Sequence, residues 1–434
     1  MLIGLTVGTR SAAPPNPGTT SAPNATGTNT GRFYTWPEIT RQIDSWKEAY
    51  PQLVRQEAIG KTAEGRDIPA LCISDHAGRD AADRPQILVM GGIHPREQQP
   101  QIAVMRLVGE LLEQYGRDDR LTRLVKTRQI WAIPVFNLDG KIFDMKESDG
   151  TVRGANWRKN RSKNADGSFG VDLNRNFAIR WGGGSEKPTG NTFQGPAPMS
   201  EPETRALADF LESHSIRVLV DMHSHMKAIF HPQYLVEPDR KHYDDLMCDI
   251  FALQKTRYRT YTNLPPVGAS PPDVRGGDTG LTFAWSYYAA GPYSFNIEIG
   301  GSTFYDPPSR IEQEYLDNVR EPLLYLIEHC ADVPARREGS ARFVPDSSQP
   351  LLKAASTIHW KPQINGPCDY AVLMSQSPLV TVPSEYRTCP INEGFTLKVS
   401  PTAKPGTMVP FKLYLWTRDH ARSTADVSLT IATE

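Results

Sequence analysis

The five cysteines of this 434-residue chain, Cys72, Cys248, Cys330, Cys368 and Cys389, show no C-x-x-C spacing. A cysteine zinc site and a dithiol redox centre are therefore not indicated. No apolar run approaches the length of a membrane span, so no transmembrane helix is expected and the chain reads as soluble. An excess of charge is also missing: 48 Lys and Arg face 49 Asp and Glu, evenly mixed, which argues against a polyanionic partner such as nucleic acid. No internal repeat is apparent.

The length predicts two or three domains. Met1 to Val7 is apolar but too short for a complete signal peptide and has no basic leader; it reads as the remnant of one. Residues 1–31 form a flexible leader, since Ser11 to Gly31 is nearly all Ser, Thr, Ala, Asn, Pro and Gly and has nothing with which to build a core. A leader of this kind fits an exported enzyme, secreted or periplasmic. Cys368 and Cys389 lie in one β-rich tail and are the candidate disulfide, which would require an oxidising compartment.

From 32 to 332 strands and helices alternate. Thr35 to Tyr50 reads as a helix, Val54 to Ile59 and Ile68 to Ile73 as a hairpin, Gln101 to Tyr115 as a helix and Gln129 to Phe136 as a strand. Further on come a helix from Ser200 to His214, another from Asp244 to Lys255, and an amphipathic helical stretch from Pro308 to Cys330. This alternation is the mark of an α/β fold with a mixed central sheet flanked by helices. Residues 333–350 turn polar and small and read as a linker. From 351 to 434 short alternating runs separated by Pro, Gly and Ser predict a small all-β sandwich domain.

Three buried apolar runs end in residues able to bind a metal or titrate. Ile87 to Met90 breaks at Gly91-Gly92 and delivers His94 and Glu97; Ile216 to Met222 runs into His223; Tyr293 to Ile297 ends at Glu298. H-x-x-E alone is a weak signal, but three such endings at one end of a sheet would meet in one crevice. Two His and one Glu would hold a zinc ion and leave a fourth position for water, the catalytic rather than the structural arrangement. Glu298 is the candidate carboxylate for taking a proton from that water and returning it to a leaving amine. Arg158 can stabilise negative charge developing on a carbonyl oxygen. Asn174 beside Arg175 suits the bidentate grip of a free carboxylate, which points to an exopeptidase acting on peptide or protein C-termini.

These residues resemble the zinc carboxypeptidase family, the group of the pancreatic carboxypeptidases A and B and their bacterial relatives, over roughly Phe33 to Cys330. His94-Pro95-Arg96-Glu97 is similar to the family's H-x-x-E, Trp157-Arg158 to its W-R, Asn174-Arg175-Asn176 to its N-R-N, His223-Ser224 to its H-S, and Trp285-Ser286-Tyr287 to the W-S-Y before its catalytic Glu. The resemblance implies one zinc at His94, Glu97 and His223, the set that carboxypeptidase A has. It further implies carbonyl polarisation by Arg158, carboxylate binding by Asn174 and Arg175, a base at Glu298, and Arg96 as an auxiliary substrate contact. Asp172 is expected to orient His94 from behind.

Two departures accompany the resemblance. In the Pro265 to Gly280 loop, where pancreatic members carry a mobile Tyr, counting back from Trp285 gives Gly276. Two before Trp285, where basic-specific relatives place an acidic residue, stands Phe283, which implies a preference for apolar or aromatic C-terminal residues. The alternatives are a zinc peptidase or amidase acting on cell-wall peptides, and an inactive binding protein on the same fold. The tail has no counterpart in the pancreatic enzymes, and its partner is open.

Overall fold

A computed structural model describes residues 33–75, 84–148, 151–232, 235, 238–260, 279–345, 349–383 and 386–432. Residues 1–32, which include the leader, and 261–278, which include Gly276, lie outside these. The strands of the first part are β1 (Val54–Lys61), β2 (Asp67–Ile73), β3 (Gln86–Gly91), β4 (Gln129–Ile133), β5 (Met145–Ser148), β6 (Thr151–Gly154), β7 (Ile216–His225), β8 (Ala228–Phe230), β9 (Arg259–Thr260) and β10 (Tyr293–Gly300). Its helices are α1 (Trp36–Ala49), α2 (Gln98–Glu113), α3 (Asp119–Thr127), α4 (Leu138–Asp144), α5 (Pro202–Ser213), α6 (Asp239–Ala252), α7 (Thr282–Trp285), α8 (Pro308–Glu314) and α9 (Arg320–His329).

One eight-stranded mixed sheet runs in the order β1-β2-β4-β3-β7-β10-β8-β9. Its centre, β4-β3-β7-β10, is parallel. Those strands are apolar almost without interruption because both faces are covered: every residue of β3 and β4 is buried. Helix α2 lies on β2, β3, β4 and β7, and Leu107, Val108, Leu111 and Leu112 enter the core on its inner side. The three strand endings singled out in the sequence, after β3 and within the last turns of β7 and β10, stand side by side at the carboxyl edge, where open α/β sheets bind ligands.

Helices α3, α4 and the one-turn α7 were not evident in the sequence. α3 starts at Asp118, whose side chain accepts the Leu121 N–H at 2.8 Å, and offers only Leu121, Leu124 and Val125 to the core. α4 is short and buries Asp139, Lys141 and Asp144 beside Leu138, so its buried face does not follow an apolar pattern. The helical stretch from Pro308 is broken by a π-helical turn at Tyr315–Val319, and α6 begins at Asp239, directly behind Pro238, ahead of its expected start.

The C-terminal strands are β11 (Arg337–Glu338), β12 (Arg342–Val344), β13 (Thr357–Trp360), β14 (Gln363–Asn365), β15 (Tyr370–Ser375), β16 (Val380–Thr381), β17 (Tyr386–Thr388), β18 (Phe395–Val399), β19 (Met408–Trp416) and β20 (Ala421–Thr430). A five-stranded sheet, β11-β20-β19-β15-β17, and a three-stranded sheet, β13-β18-β16, enclose a second core. The segment read as a linker differs from expectation: β11 pairs with β20 in the five-stranded sheet and β12 with β14 in a separate two-stranded one, so backbone hydrogen bonding ties it to the C-terminal strands.

Strand β15 is buried on both faces. Ala371 and Leu373 point into the second core, while Tyr370, Val372 and Met374 join the main one together with Tyr414 and Trp416 of β19. The Trp416 indole N–H donates to the Tyr288 carbonyl at 2.9 Å. Around it, Arg422 bonds the Ala289 carbonyl and the Glu212 carboxylate, and His420 meets Asp239 at 2.9 Å.

The Sγ atoms of Cys368 and Cys389 lie 2.9 Å apart. Oxidation would close a loop that stabilises the fold by about 3 kcal/mol. The denatured protein, prepared without reductant, is then expected to expose three thiols to a thiol reagent and five after reduction. Five in both cases would show that the pair stays reduced.

Candidate metal and active site

Chain geometry at the end of β3 is set by two glycines. A Cβ on Gly91 would meet the Pro100 carbonyl group at 3.0 Å, and Gly92 has φ +72° with Gln101 and Val135 packed against it. The chain therefore turns sharply under the start of α2. Gln98 and Gln101 hold the Pro95 carbonyl at 2.6 and 3.0 Å, which fixes His94 and Glu97 on either side of one bend.

His94, Glu97 and His223 are all buried and offer ligand atoms within 4.8 Å of one another. His94 Nδ1 lies 2.8 Å from Glu97 Oε1, and 3.2 Å from His223 Nδ1, which in turn is 3.2 Å from Glu97 Oε2. The far nitrogen of His94, Nε2, faces Asp172 Oδ1 at 3.1 Å. When Nε2 carries the proton and gives it to that carboxylate, Nδ1 presents a lone pair toward the other two ligands. Two imidazole nitrogens and a carboxylate converging on one buried point fit a divalent cation such as zinc, with room in the set for a fourth ligand. Burial alone would raise the Glu97 carboxyl, but the two imidazoles hold it well below the usual carboxylate range.

Asp172 is fully buried at the head of a short 3-10 turn, Leu173–Arg175, and ties several elements together. It accepts the Asn174 N–H at 3.1 Å and Arg158 Nε at 2.9 Å besides facing His94. Burial would raise this carboxyl too, yet Arg158 and His94 keep it far below its ordinary value. Arg158 also reaches Glu97 at 3.7 Å, so its guanidinium borders the ligand cluster. Asn174 accepts from both the N–H and the hydroxyl of Thr282, at 2.9 and 3.1 Å, which directs its Nδ2 toward His223 Nε2 at 3.3 Å. Arg175 donates to the Asn174 carbonyl at 2.6 Å; Gly280, at φ +66°, packs on the Arg175 backbone where any Cβ would clash.

Glu298 is the register partner of His223 across the parallel β7–β10 pair. Its Oε2 has no hydrogen-bond partner. Burial, with the Glu97 charge alongside, pushes this carboxyl up to about 7. Arg96 stands further out: its guanidinium lies over the Phe304 ring at 4.2 Å and reaches Asn156 Oδ1 at 3.4 Å. Phe283, 2% exposed, sits in the main core on α7, which packs against β7 and β10.

The structure thus brings His94, Glu97, His223, Arg158, Asn174, Arg175 and Glu298 to one edge of the sheet. Sequence reasoning passed over two groups at this edge. The Ser224 N–H donates to Glu97 Oε2 at 3.1 Å, a main-chain contact that no side-chain pattern reveals. Asp221, fully buried, lies 3.1 Å from His223 Nε2; an acid inside the apolar run of β7 was the available signal.

The zinc carboxypeptidase family model matches residues 39–321. Mast cell carboxypeptidase A of Mus musculus is 30% identical over 69% of this chain and 72% of its own length. Carboxypeptidase B of Rattus norvegicus is 30% identical over 70% of this chain and 74% of its own. Among solved structures, thrombin activatable fibrinolysis inhibitor superimposes with a TM-score of 0.60 at 25% identity, covering 72% of this chain and 78% of that one. With this match in sequence and fold, the chain belongs to the zinc carboxypeptidase family and is a metallocarboxypeptidase, a hydrolase.

Proposed function

We propose that the protein is a zinc-dependent exopeptidase that removes the C-terminal residue of peptides or proteins, with His94, Glu97 and His223 as the ligands of one zinc ion. The observation that carries this reading is the meeting of three buried ligand groups beside a carboxylate, Glu298, whose Oε2 has no partner. When bound there, zinc supplies a Lewis acid for the scissile carbonyl and makes water a ready nucleophile near neutral pH.

The chain's own groups do the rest. Glu298 takes a proton from the attacking water and passes it to the leaving amine. Arg158, held by Asp172, offers a fixed positive charge to the carbonyl oxygen as it becomes negative. Arg175 and Asn174 grip the terminal carboxylate, and Arg96 contacts the substrate further from the centre. Asp172 fixes the ring of His94. The close Cys368 and Cys389 thiols support an oxidising compartment, secreted or periplasmic.

Phe283 favours an apolar or aromatic C-terminal residue. Relatives named carboxypeptidase A and carboxypeptidase B match the chain at equal identity, so comparing release of C-terminal Phe or Leu with release of Lys or Arg tests this preference.

Blocked dipeptides with free or amidated C-termini, assayed with and without a chelator, test the proposal. Cleavage is expected only of the free acids, lost with chelator and restored by zinc. Turnover of amidated substrates would overturn the exopeptidase reading; activity that resists the chelator would remove the metal.

A further inference from the structure

The C-terminal strands take no part in the chemistry above, yet they meet the helix that holds Asn174. α7 begins at Thr282 and passes without a break into the π-helical turn Ser286–Ala290. At its front the Thr282 N–H and hydroxyl both donate to Asn174 Oδ1, at 2.9 and 3.1 Å, and so aim the Asn174 amide. Just ahead of the helix, the Gly280 N–H donates to the Ile179 carbonyl at 2.6 Å, and the Gly280 carbonyl accepts from Phe177 at 3.2 Å. The chain that carries Asn174 and Arg175 is therefore fastened to the front of this helix.

The last carbonyls of a helix have no partner within it. Gly291, at φ +94°, ends this one, its N–H reaching back to the Ser286 carbonyl at 2.8 Å. The three carbonyls before it are each met from the C-terminal segment: Tyr288 by the Trp416 indole N–H at 2.9 Å, Ala289 by Arg422, and Ala290 by Arg336 at 2.9 Å. Glu212 of α5 holds both arginines, Arg422 by its carboxylate at 2.7 Å and Arg336 by its main-chain carbonyl at 2.8 Å. Two guanidinium groups thus face the negative pole of the helix. Every residue from Thr282 to Ala290 is buried, and close-packed interiors transmit strain, so a shift at the back of the helix is carried to its front.

We infer that Trp416, Arg422 and Arg336 are positioning residues for substrate binding: by capping the back of this helix they set Thr282, and through it the Asn174 amide that meets the substrate's terminal carboxylate. The inference rests on the carboxypeptidase reading of the site and gives the C-terminal strands a part in it. Glu298 is held separately, because β10 is bonded along its length to β7 and β8. The effect therefore falls on the grip of substrate rather than on the base.

The test uses the full-length, zinc-loaded protein and blocked dipeptides with free carboxylates. Arg422→Ala, and Trp416→Phe, which drops the indole N–H and keeps most of the ring, are each expected to raise KM by about tenfold, the scale of one hydrogen bond to a charged group, with kcat and zinc content within about twofold of wild type. Arg422→Lys returns a cation and a donor to the Ala289 carbonyl and should recover most of the loss. Thr282→Val, at the other end of the helix, should raise KM in the same way.

A loss of stability alone lowers the working fraction of enzyme, and with it the apparent kcat, but leaves KM where it was. A lower melting temperature with unchanged KM therefore overturns the inference, as does loss of zinc or a fall in kcat at constant KM. Should Arg422→Ala not fold, Trp416→Phe and Thr282→Val decide the matter. Cleavage of none of the dipeptides by the wild type would instead take down the underlying reading.

Discussion

Glu298→Gln is expected to yield a folded protein that retains its zinc and loses kcat by about a hundred- to ten-thousandfold. The amide keeps the volume and the place of the side chain on β10, opposite His223, but cannot accept a proton from water. Because Oε2 makes no hydrogen bond in the folded chain, the substitution breaks no internal contact of that oxygen, and stability should change little. Metal analysis, a thermal melt and steady-state rates measured on one preparation separate these effects. Near-normal kcat would remove Glu298 as the base, and loss of zinc would show that it shapes the metal site instead.

Trp416→Ala should destabilise the whole protein by about 3–5 kcal/mol, the range for truncating a buried aromatic side chain. The ring is 1% exposed and lies parallel to Tyr370, with centroids 6.2 Å apart. It fills the place where a Cβ on Gly291 would fall, 2.5 Å from the ring, and its loss leaves the buried Tyr288 carbonyl without its indole donor. Gly291 lies two residues before the start of β10, the strand that carries Glu298. The expected signature is a single cooperative unfolding transition shifted down, with catalytic activity and tail structure lost together. Two separate transitions, only the second of them shifted, would show that the C-terminal sheets and the catalytic sheet are independent.

The parts of this architecture that were readable in the sequence are those governed by strong local rules. Apolar runs that stop at glycine or at a polar residue gave β3, β7 and β10 and placed His94, His223 and Glu298 at one edge, because strand length and burial on both faces leave such runs little other use. Features that depend on distant partners were not readable. Helix α4 buries Asp139, Lys141 and Asp144, and these are satisfied from far along the chain: Asp139 by Thr62 and Arg66, Lys141 by Gln98, Asp144 by Tyr305. Asn160, in the polar segment after Arg158, is likewise tied to a distant partner, its Nδ2 anchored on Glu201 at 2.7 Å. Segment 333–350 looked like a linker because two- and three-residue strands have no pattern of their own. Asp221 was hidden by the same logic that found its strand, since the five apolar residues of Ile216 to Met222 make one acid look like noise.

Burying β15 on both faces has a further consequence for synthesis. A chain made from its N-terminus leaves the ribosome with the surface for Tyr370, Val372, Met374 and Trp416 still bare, and only the last strands can cover it. Until they arrive, the nascent catalytic half is a client for chaperones, and a stop codon ahead of Trp416 would release an aggregating fragment rather than a shorter enzyme.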